Sequence, residues 1–273
     1  MASGAAIAAL FVYPVKSCRG IAVAAAQMTE RGLAHDREWM IVDADGRFVS
    51  QRELPSLALI RTMLQPEGLE LSARDGTTLP VPFAHPGPTR SVTVWRDTVA
   101  AIDQGDDAAR WLTAHLGRDV RLVRFDPEVR RGCNRAYVGD SGAHTGFADA
   151  YPLLVLAEAS LADLNRRLAS PLPINRFRPN VVLSGCEAYD EDHIDEIVAG
   201  AIRMKLVKPC TRCQITTTDQ ETAQRADEPL ATLATYRMSA VLHGVTFGVN
   251  AIPTAGIGNA LSVGTRLECS IRF

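Results

Sequence analysis

Short apolar runs, broken at brief intervals by glycine and proline, fill the first half of the chain. Ile7–Val12 ends at Tyr13-Pro14, and Trp39–Val42 and Arg47–Ser50 flank Asp43-Ala44-Asp45-Gly46. Leu57–Met63, Leu69–Ser72, Ser91–Trp95 and Thr98–Ile102 follow. Strands of about five residues fit between such breakers, and helices of ordinary length do not. Asp-Gly between apolar runs is a hairpin signal. Many short strands joined by turns predict a barrel or a tightly curled sheet.

One helix interrupts this pattern. Ala109, Leu112 and Leu116 form its apolar stripe, Asp106 or Asp107 stands where a cap is needed, and Gly117 ends it. Val120–Phe125 reads as a further strand. Residues 126–149 are polar and aperiodic and carry Arg130-Arg131, the mark of a functional or mobile loop. The chain therefore divides into a first domain at 1–125, a connecting loop at 126–150 and a second domain at 151–273. In the second, Pro152–Ala157, Asn180–Ser184, Ala201–Val207, Gln214–Thr218, Thr246–Ile252 and Thr265–Ile271 read as strands. Glu158–Leu168 reads as a helix with Leu161, Leu164 and Leu168 inward, and Pro229–Tyr236 as a short helix with proline at its start. The class is α+β and rich in β.

Composition removes several functions. At 47% hydrophobic and 22% charged, the 273 residues are neither disordered nor fibrous. A net charge of −2 disfavours a nucleic-acid partner. Six scattered cysteines are too sparse for a disulfide scaffold. No apolar stretch reaches the ~18–20 residues of a membrane span. The Ala-rich start, Ala2–Leu10, lacks a basic leader and reads as a first strand. These features predict a cytoplasmic protein without a membrane partner.

Lys208-Pro209-Cys210-Thr211-Arg212-Cys213 is the sharpest local signal. A zinc knuckle needs two further ligands at matching spacing, and His193 and His243 are isolated. A thioredoxin-like pair opens a helix, whereas Gln214-Ile215-Thr216-Thr217-Thr218 is β-branched, so Cys213 should open a strand. Two readings remain: an inert cysteine pair, or a single thiolate beside Lys208 and Arg212, suited to a soft transition metal. Three other stretches carry clustered cations: Tyr13-Pro14-Val15-Lys16-Ser17-Cys18-Arg19-Gly20, His35-Asp36-Arg37-Glu38, and Asn175-Arg176-Phe177-Arg178-Pro179-Asn180. The first and third read as anion-binding turns or as solvated turns, and the second places Arg37 at a strand entrance between two acids, where a surface ion-pair cluster is the plainer reading. Pro179 forces Arg178 out of the right-handed helical region. Neither a Walker loop nor a dinucleotide fingerprint is present.

Taken in order, Y-P-V-K-S-C-R-G, H-D-R-E-W-M, F-A-D-A-Y-P-L-L-V-L-A-E-A-S-L, N-R-F-R-P-N-V-V and K-P-C-T-R-C-Q-I-T-T-T-D resemble the two-part MOSC proteins, the family of the mitochondrial amidoxime-reducing component and its bacterial counterparts. The resemblance spans nearly the whole chain. It implies an N-terminal MOSC-type β-barrel domain and a C-terminal MOSC domain, barrel-like with a few helices. It also implies a molybdenum–pyranopterin cofactor whose metal is ligated by Cys213, the catalytic residue. Lys16, Ser17, Arg37, Arg178, Asn180, Thr211 and Arg212 match positions that bind the cofactor. Tyr151 and Asn250 stand where some members have other residues: Ala150-Tyr151 replaces a Thr-Ser pair, and Asn250 replaces a tyrosine. The implied activity is reduction of N-hydroxylated compounds by oxygen-atom transfer. The alternative is a carrier of the cofactor, or of sulfur as a Cys213 persulfide. An iron–sulfur cluster needs four cysteines, and only Cys269 follows Cys213, so no such cluster is expected. Electrons are expected from an external flavoprotein or small redox protein.

Overall fold

The computed structural model describes residues 4–272, so the beginning of the Ala2–Leu10 segment lies outside the described residues. Among the described residues, no helix is long and apolar enough to cross a membrane. The molecule is β-rich, with helices at Gly105–Leu116 (α1), Arg135–Val138 (α2), Glu158–Arg167 (α3) and Leu230–Ala234 (α4).

Eight strands form the path of the principal sheet: Ala6–Val12 (β1), Ile21–Val23 (β2), Leu153–Ala157 (β3), Val181–Ser184 (β4), Ile194–Ala199 (β5), Ile202–Thr211 (β6), Gly244–Ala255 (β7) and Glu268–Ile271 (β8). Their order is β2-β1-β4-β3-β7-β6-β5-β8, and Met238–Ser239 adds a ninth strand beside β7. Only β3 and β4 run parallel. All five residues of β3 are buried, as expected of a strand covered on both faces. A bulge between Ile7 and Ala9 shifts the alternation of β1 by one residue, so that Ile7, Leu10 and Val12 all reach the core.

The first half builds two smaller sheets. In one, Trp39–Val42, Arg121–Phe125, Asp97–Asp103 and Thr89–Val94 pair in that order; in the other, Arg61–Gln65, Gly68–Ser72 and Thr78–Pro82 form a meander. α1 lays Ala108, Leu112 and Leu116 on the core between Trp39, Leu69 and Leu122. Gly117 ends it in the left-handed conformation. The start is held by Asp103, whose carboxylate accepts from the Gly105 N–H at 2.8 Å, and not by Asp106 or Asp107.

Four further expectations are corrected. Arg47–Ser50 pairs with the neighbouring strands only through isolated bridges, although the turn at Asp43–Gly46 does form. Leu57–Met63 is split: Pro55 opens a 3-10 turn over Pro55–Leu59, and the strand starts at Arg61. Residues 126–149 are not patternless, because Arg131–Gly132 pairs with His144–Thr145 around α2. Gln214–Thr218 is not a strand. Gln214–Thr217 is a 3-10 turn with Cys213 at its N-cap.

Candidate functional site

The sheet order decides what meets. β1 is antiparallel to β4, and β4 is parallel to β3, so the exit of β1 lies beside the entrances of β3 and β4. The turns after Val12, before Val181 and before Leu153 therefore share one end of the sheet. β6 and β7 complete it: Asn250 stands opposite Leu154 on one side and Lys208 on the other. The cavity at this end is lined by Lys16, Ser17, Arg37, Tyr151, Arg178, Asn180, Arg212 and Asn250, together with Ala148–Ala150 and Cys210. Eight predicted residues are thus brought together. Thr211 is exposed, and neither it nor Cys213 lines this cavity. It offers about 100 Å³ of free space, room for a phosphate-sized anion.

Cations dominate the lining. Lys16 is buried, and its Nζ donates to the carbonyl of Phe147 and to Asp149, both at 2.6 Å. Burial lowers its pKa from 10.5 to about 8, even though Asp149 favours the ammonium. Asp149 is held below the usual carboxylate range: partial desolvation by the cavity walls works against its charge, but the Lys16 ammonium and the Trp95 indole N–H outweigh it. The Asp149 side chain is 69% exposed, so water screens the pair, which adds little stability of its own.

Arg37 donates to Asp36 at 2.6 Å and to Asn180 Oδ1 at 2.9 Å. Burial opposes its charge, yet Asp36 and Tyr13 hold its pKa above the ordinary value. Among the described residues, Arg178 has no carboxylate partner. It donates to the carbonyl of Cys18 at 2.8 Å, and burial and the nearby Arg37 push its pKa down to about 10. Both guanidinium carbons lie 4.3 Å from the Tyr13 ring centroid, so one aromatic ring carries two cations. Gly20 permits this packing: a Cβ there would stand 2.2 Å from the Tyr13 ring. Lys16, Arg37, Arg178 and Arg212 thus face two carboxylates, Asp36 and Asp149. Such a surplus of partly desolvated positive charge suits an anion.

The backbone is strained at the same place. Ser17, Arg37 and Arg178 have φ of 66°, 48° and 56°. For residues with a Cβ this region costs on the order of 1–3 kcal/mol each, and such residues cluster at functional sites. Pro179 keeps Arg178 out of the right-handed helical region but by itself favours extended backbone there, so the left-handed value is imposed by the surrounding fold.

Several predicted residues have other duties. Asn180 spends its amide on the fold: Oδ1 accepts from the Leu154 N–H at 3.1 Å, and Nδ2 donates to Phe11 at 3.2 Å, tying β1, β3 and β4 together. Asn250 Nδ2 donates to the carbonyl of Lys208 at 3.1 Å. Lys208 Nζ lies 4.8 Å from the centroid of the Tyr137 ring. Arg212 donates to Cys210 Sγ at 2.9 Å and to the carbonyl of Phe177 at 2.7 Å, and its buried Nε has no partner. Among the described residues Cys213 Sγ makes no hydrogen bond, whereas its carbonyl closes the 3-10 turn. His35 pairs with Glu38 and lines a neighbouring cavity with Arg37. Burial pushes the Cys18 thiol up to about 12 and those of Cys133 and Cys186 to about 11, which makes them inert.

Three residues with no motif complete the frame. Arg131 is buried and donates to the carbonyls of Gly146, Ala148 and Asp149 and to the Asp97 carboxylate, fixing the loop that walls the cavity. Gln51 donates to the carbonyl of Ser17 at 2.6 Å and exchanges hydrogen bonds with Gln220. Gln220 also donates to the carbonyl of Thr218, just past the turn that follows Cys213. Isolated glutamines carry no sequence signal; only the fold pairs them.

The chain matches the MOSC N-terminal beta barrel domain over residues 4–119 and the MOSC domain over residues 142–268. It is 35% identical to mitochondrial amidoxime reducing component 2 of Bos taurus over 273 residues, covering 93% of this chain and 81% of that protein. It is 38% identical to mitochondrial amidoxime-reducing component 1 of Mus musculus over 242 residues, covering 85% and 71%. The Homo sapiens component 1 is 37% identical over 241 residues, covering 85% and 72%.

Proposed function

Because this chain belongs to the family of MOSC proteins that includes the mitochondrial amidoxime-reducing components, we propose that it reduces N-hydroxylated compounds at a molybdenum–pyranopterin centre held by Cys213. The observation that carries this reading is the convergence of Lys16, Arg37, Arg178 and Arg212, from four separate segments, on one cavity beside the Cys210–Cys213 turn.

The residues fit such a group. A pyranopterin carries a phosphate and an anionic dithiolene, and the cavity offers surplus cations with a buried Arg212 Nε that lacks an acceptor. When bound, the group supplies the metal and the electron pair for breaking an N–O bond. The chain supplies the rest. Lys16, the Ser17 hydroxyl and Arg178 hold the phosphate end. Arg37 is steadied by Asp36, and it also braces the Arg178 turn by donating to the Arg178 carbonyl at 3.2 Å. Burial keeps the Tyr151 hydroxyl protonated, so toward a ligand's lone pair it acts as a donor. Asn250 Nδ2 is committed to the Lys208 carbonyl, and among the described residues its Oδ1 accepts no hydrogen bond, so Oδ1 would accept from a pterin N–H. Cys213, with no hydrogen bond to its sulfur, provides one soft thiolate.

In the reaction the N–O bond breaks, two electrons and two protons are consumed, and the oxygen leaves as water. The electrons come from a separate flavoprotein or small redox protein. Protein purified from a host that makes the cofactor should oxidise a reduced viologen dye when an amidoxime is added, and Cys213→Ser should stop it. Loaded protein that fails to oxidise the dye with any N-hydroxylated compound would instead mark a carrier.

A further inference from the structure

The hairpin between Thr89–Val94 and Asp97–Asp103 reaches the cationic cavity, although it supplies none of the lining residues. Val94 pairs with Asp97, so Trp95 and Arg96 form a two-residue loop. Trp95 takes φ of 59° there, and a positive φ in such a loop ordinarily falls to glycine, asparagine or aspartate. A bulky aromatic residue in this region is strained, at a cost on the order of 1–3 kcal/mol. Trp95 is also 40% exposed, so little burial offsets that strain. What the position provides is a contact with the site. The indole Nε1 donates to Asp149 Oδ1 at 3.0 Å, and the same oxygen accepts from Lys16 Nζ at 2.6 Å. That ammonium lies 5.6 Å from the Trp95 ring centroid and 4.8 Å from the centroid of Phe48, and the two rings pack edge to face. Arg52 stacks on Trp95 at 4.3 Å. The far end of the loop acts in parallel: the Asp97 carboxylate accepts from Arg131 Nε at 2.5 Å, and Arg131 holds the carbonyls of Gly146, Ala148 and Asp149. One hairpin therefore grips the Ala148–Ala150 wall both by side chain and by backbone.

We infer that Trp95 is a positioning residue of the cationic cavity: its indole N–H keeps hold of the Asp149 carboxylate, so that Lys16 can turn from Asp149 to an incoming phosphate. Asp149 and the phosphate compete for one ammonium. A donor on the shared oxygen draws off part of the carboxylate's negative charge and weakens its pull on Lys16, and it leaves Asp149 with a partner when Lys16 departs. Without that donor Asp149 holds Lys16 more tightly, and the cavity offers a ligand one cation fewer. The inference rests on the reading above in taking Lys16 to meet the phosphate of the cofactor, and it extends that reading to a residue outside the cavity.

The test uses inorganic pyrophosphate and the full chain purified from a host unable to make the cofactor. Calorimetric titration gives the Kd for wild type, Trp95→Phe, Asp149→Ala and the double variant. Trp95→Phe keeps an aromatic ring and removes the N–H. It should raise the Kd about fivefold, the scale of one charge-assisted hydrogen bond transmitted in part to the ligand. In the Asp149→Ala background the same change should alter the Kd by less than about twofold, because no carboxylate remains for the indole to hold. A merely structural role would give equal losses in both backgrounds. In heteronuclear NMR of wild type, the Trp95 indole resonance, identified by its absence from Trp95→Phe, should move along the titration with the midpoint of binding. Wild-type affinity in Trp95→Phe, a loss of equal size in the Asp149→Ala background, or an indole resonance that stays fixed to saturation would each overturn the inference. If the pyrophosphate results hold but wild type from a host that makes the cofactor carries no molybdenum or pterin, the reductase reading fails and Trp95 stands as part of an anion site.

Discussion

Lys16 holds a proton in a place that resists one. Its pKa falls from 10.5 to about 8 because burial removes water from the ammonium faster than Asp149 replaces it. A folded-state value below the unfolded one means that the unfolded chain binds more protons between those limits. Stability from this group therefore rises as pH climbs from about 8 toward 10.5. An anion in the cavity reverses the balance by stabilising the charged form. We predict that the rise in melting temperature produced by pyrophosphate is large at pH 7 and shrinks at pH 9, and that Lys16→Met abolishes the difference. A pyrophosphate effect of equal size at both pH values would remove Lys16 from the anion site. The left-handed backbones of Ser17, Arg37 and Arg178 belong to the same picture. They add strain where the chain must turn polar groups toward one point.

Among the elements, the junction between the Ser17 turn and the Cys213 turn is the most informative. Gln51 and Gln220 exchange two hydrogen bonds, at 3.2 and 3.1 Å, and each also holds a backbone carbonyl. Both are buried, so losing one leaves the other's amide without a partner, at a cost of about 1–3 kcal/mol. Gln51→Leu and Gln220→Leu should each destabilise by that amount. The double variant should cost less than the sum, with a coupling of at least about 0.5 kcal/mol in urea unfolding. Strict additivity would show that the pair does not act as a unit.

Most strands were readable from apolar runs and breakers, and α1 and α3 from their stripes. The misreadings have local causes. Ile215-Thr216-Thr217-Thr218 looks like a strand because it is β-branched. In the fold, Thr216 Oγ1 donates to the Cys213 carbonyl and Thr217 Oγ1 to the Gln214 carbonyl, so hydroxyls stabilise a tight turn instead. The 126–149 segment looked patternless because its order comes from Arg131 and from an Asn134 cap on α2, neither of which has a period. The cationic motifs were legible one at a time. That they meet depends on β1 pairing with β4, which no local pattern encodes.

At the scale of the molecule, the two matched regions are interleaved. β1 and β2 lie within the residues matched by the N-terminal model, yet they pair into the sheet whose other strands, β8 apart, come from the second region. The cavity forms where chain from both regions meets, with Lys16, Ser17 and Arg37 from one and Arg178, Arg212 and Asn250 from the other. Cys210 reaches the wall of that cavity, and Cys213 stands three residues further on, at the N-cap of the 3-10 turn that follows. The most direct measurement is therefore the molybdenum and pterin content of wild type, Cys210→Ser and Cys213→Ser, purified from a host that makes the cofactor. The account predicts near-stoichiometric metal in wild type and in Cys210→Ser, and loss of the metal or of its thiolate absorption in Cys213→Ser alone. Molybdenum absent from wild type, or kept with an unaltered spectrum in Cys213→Ser, would contradict it.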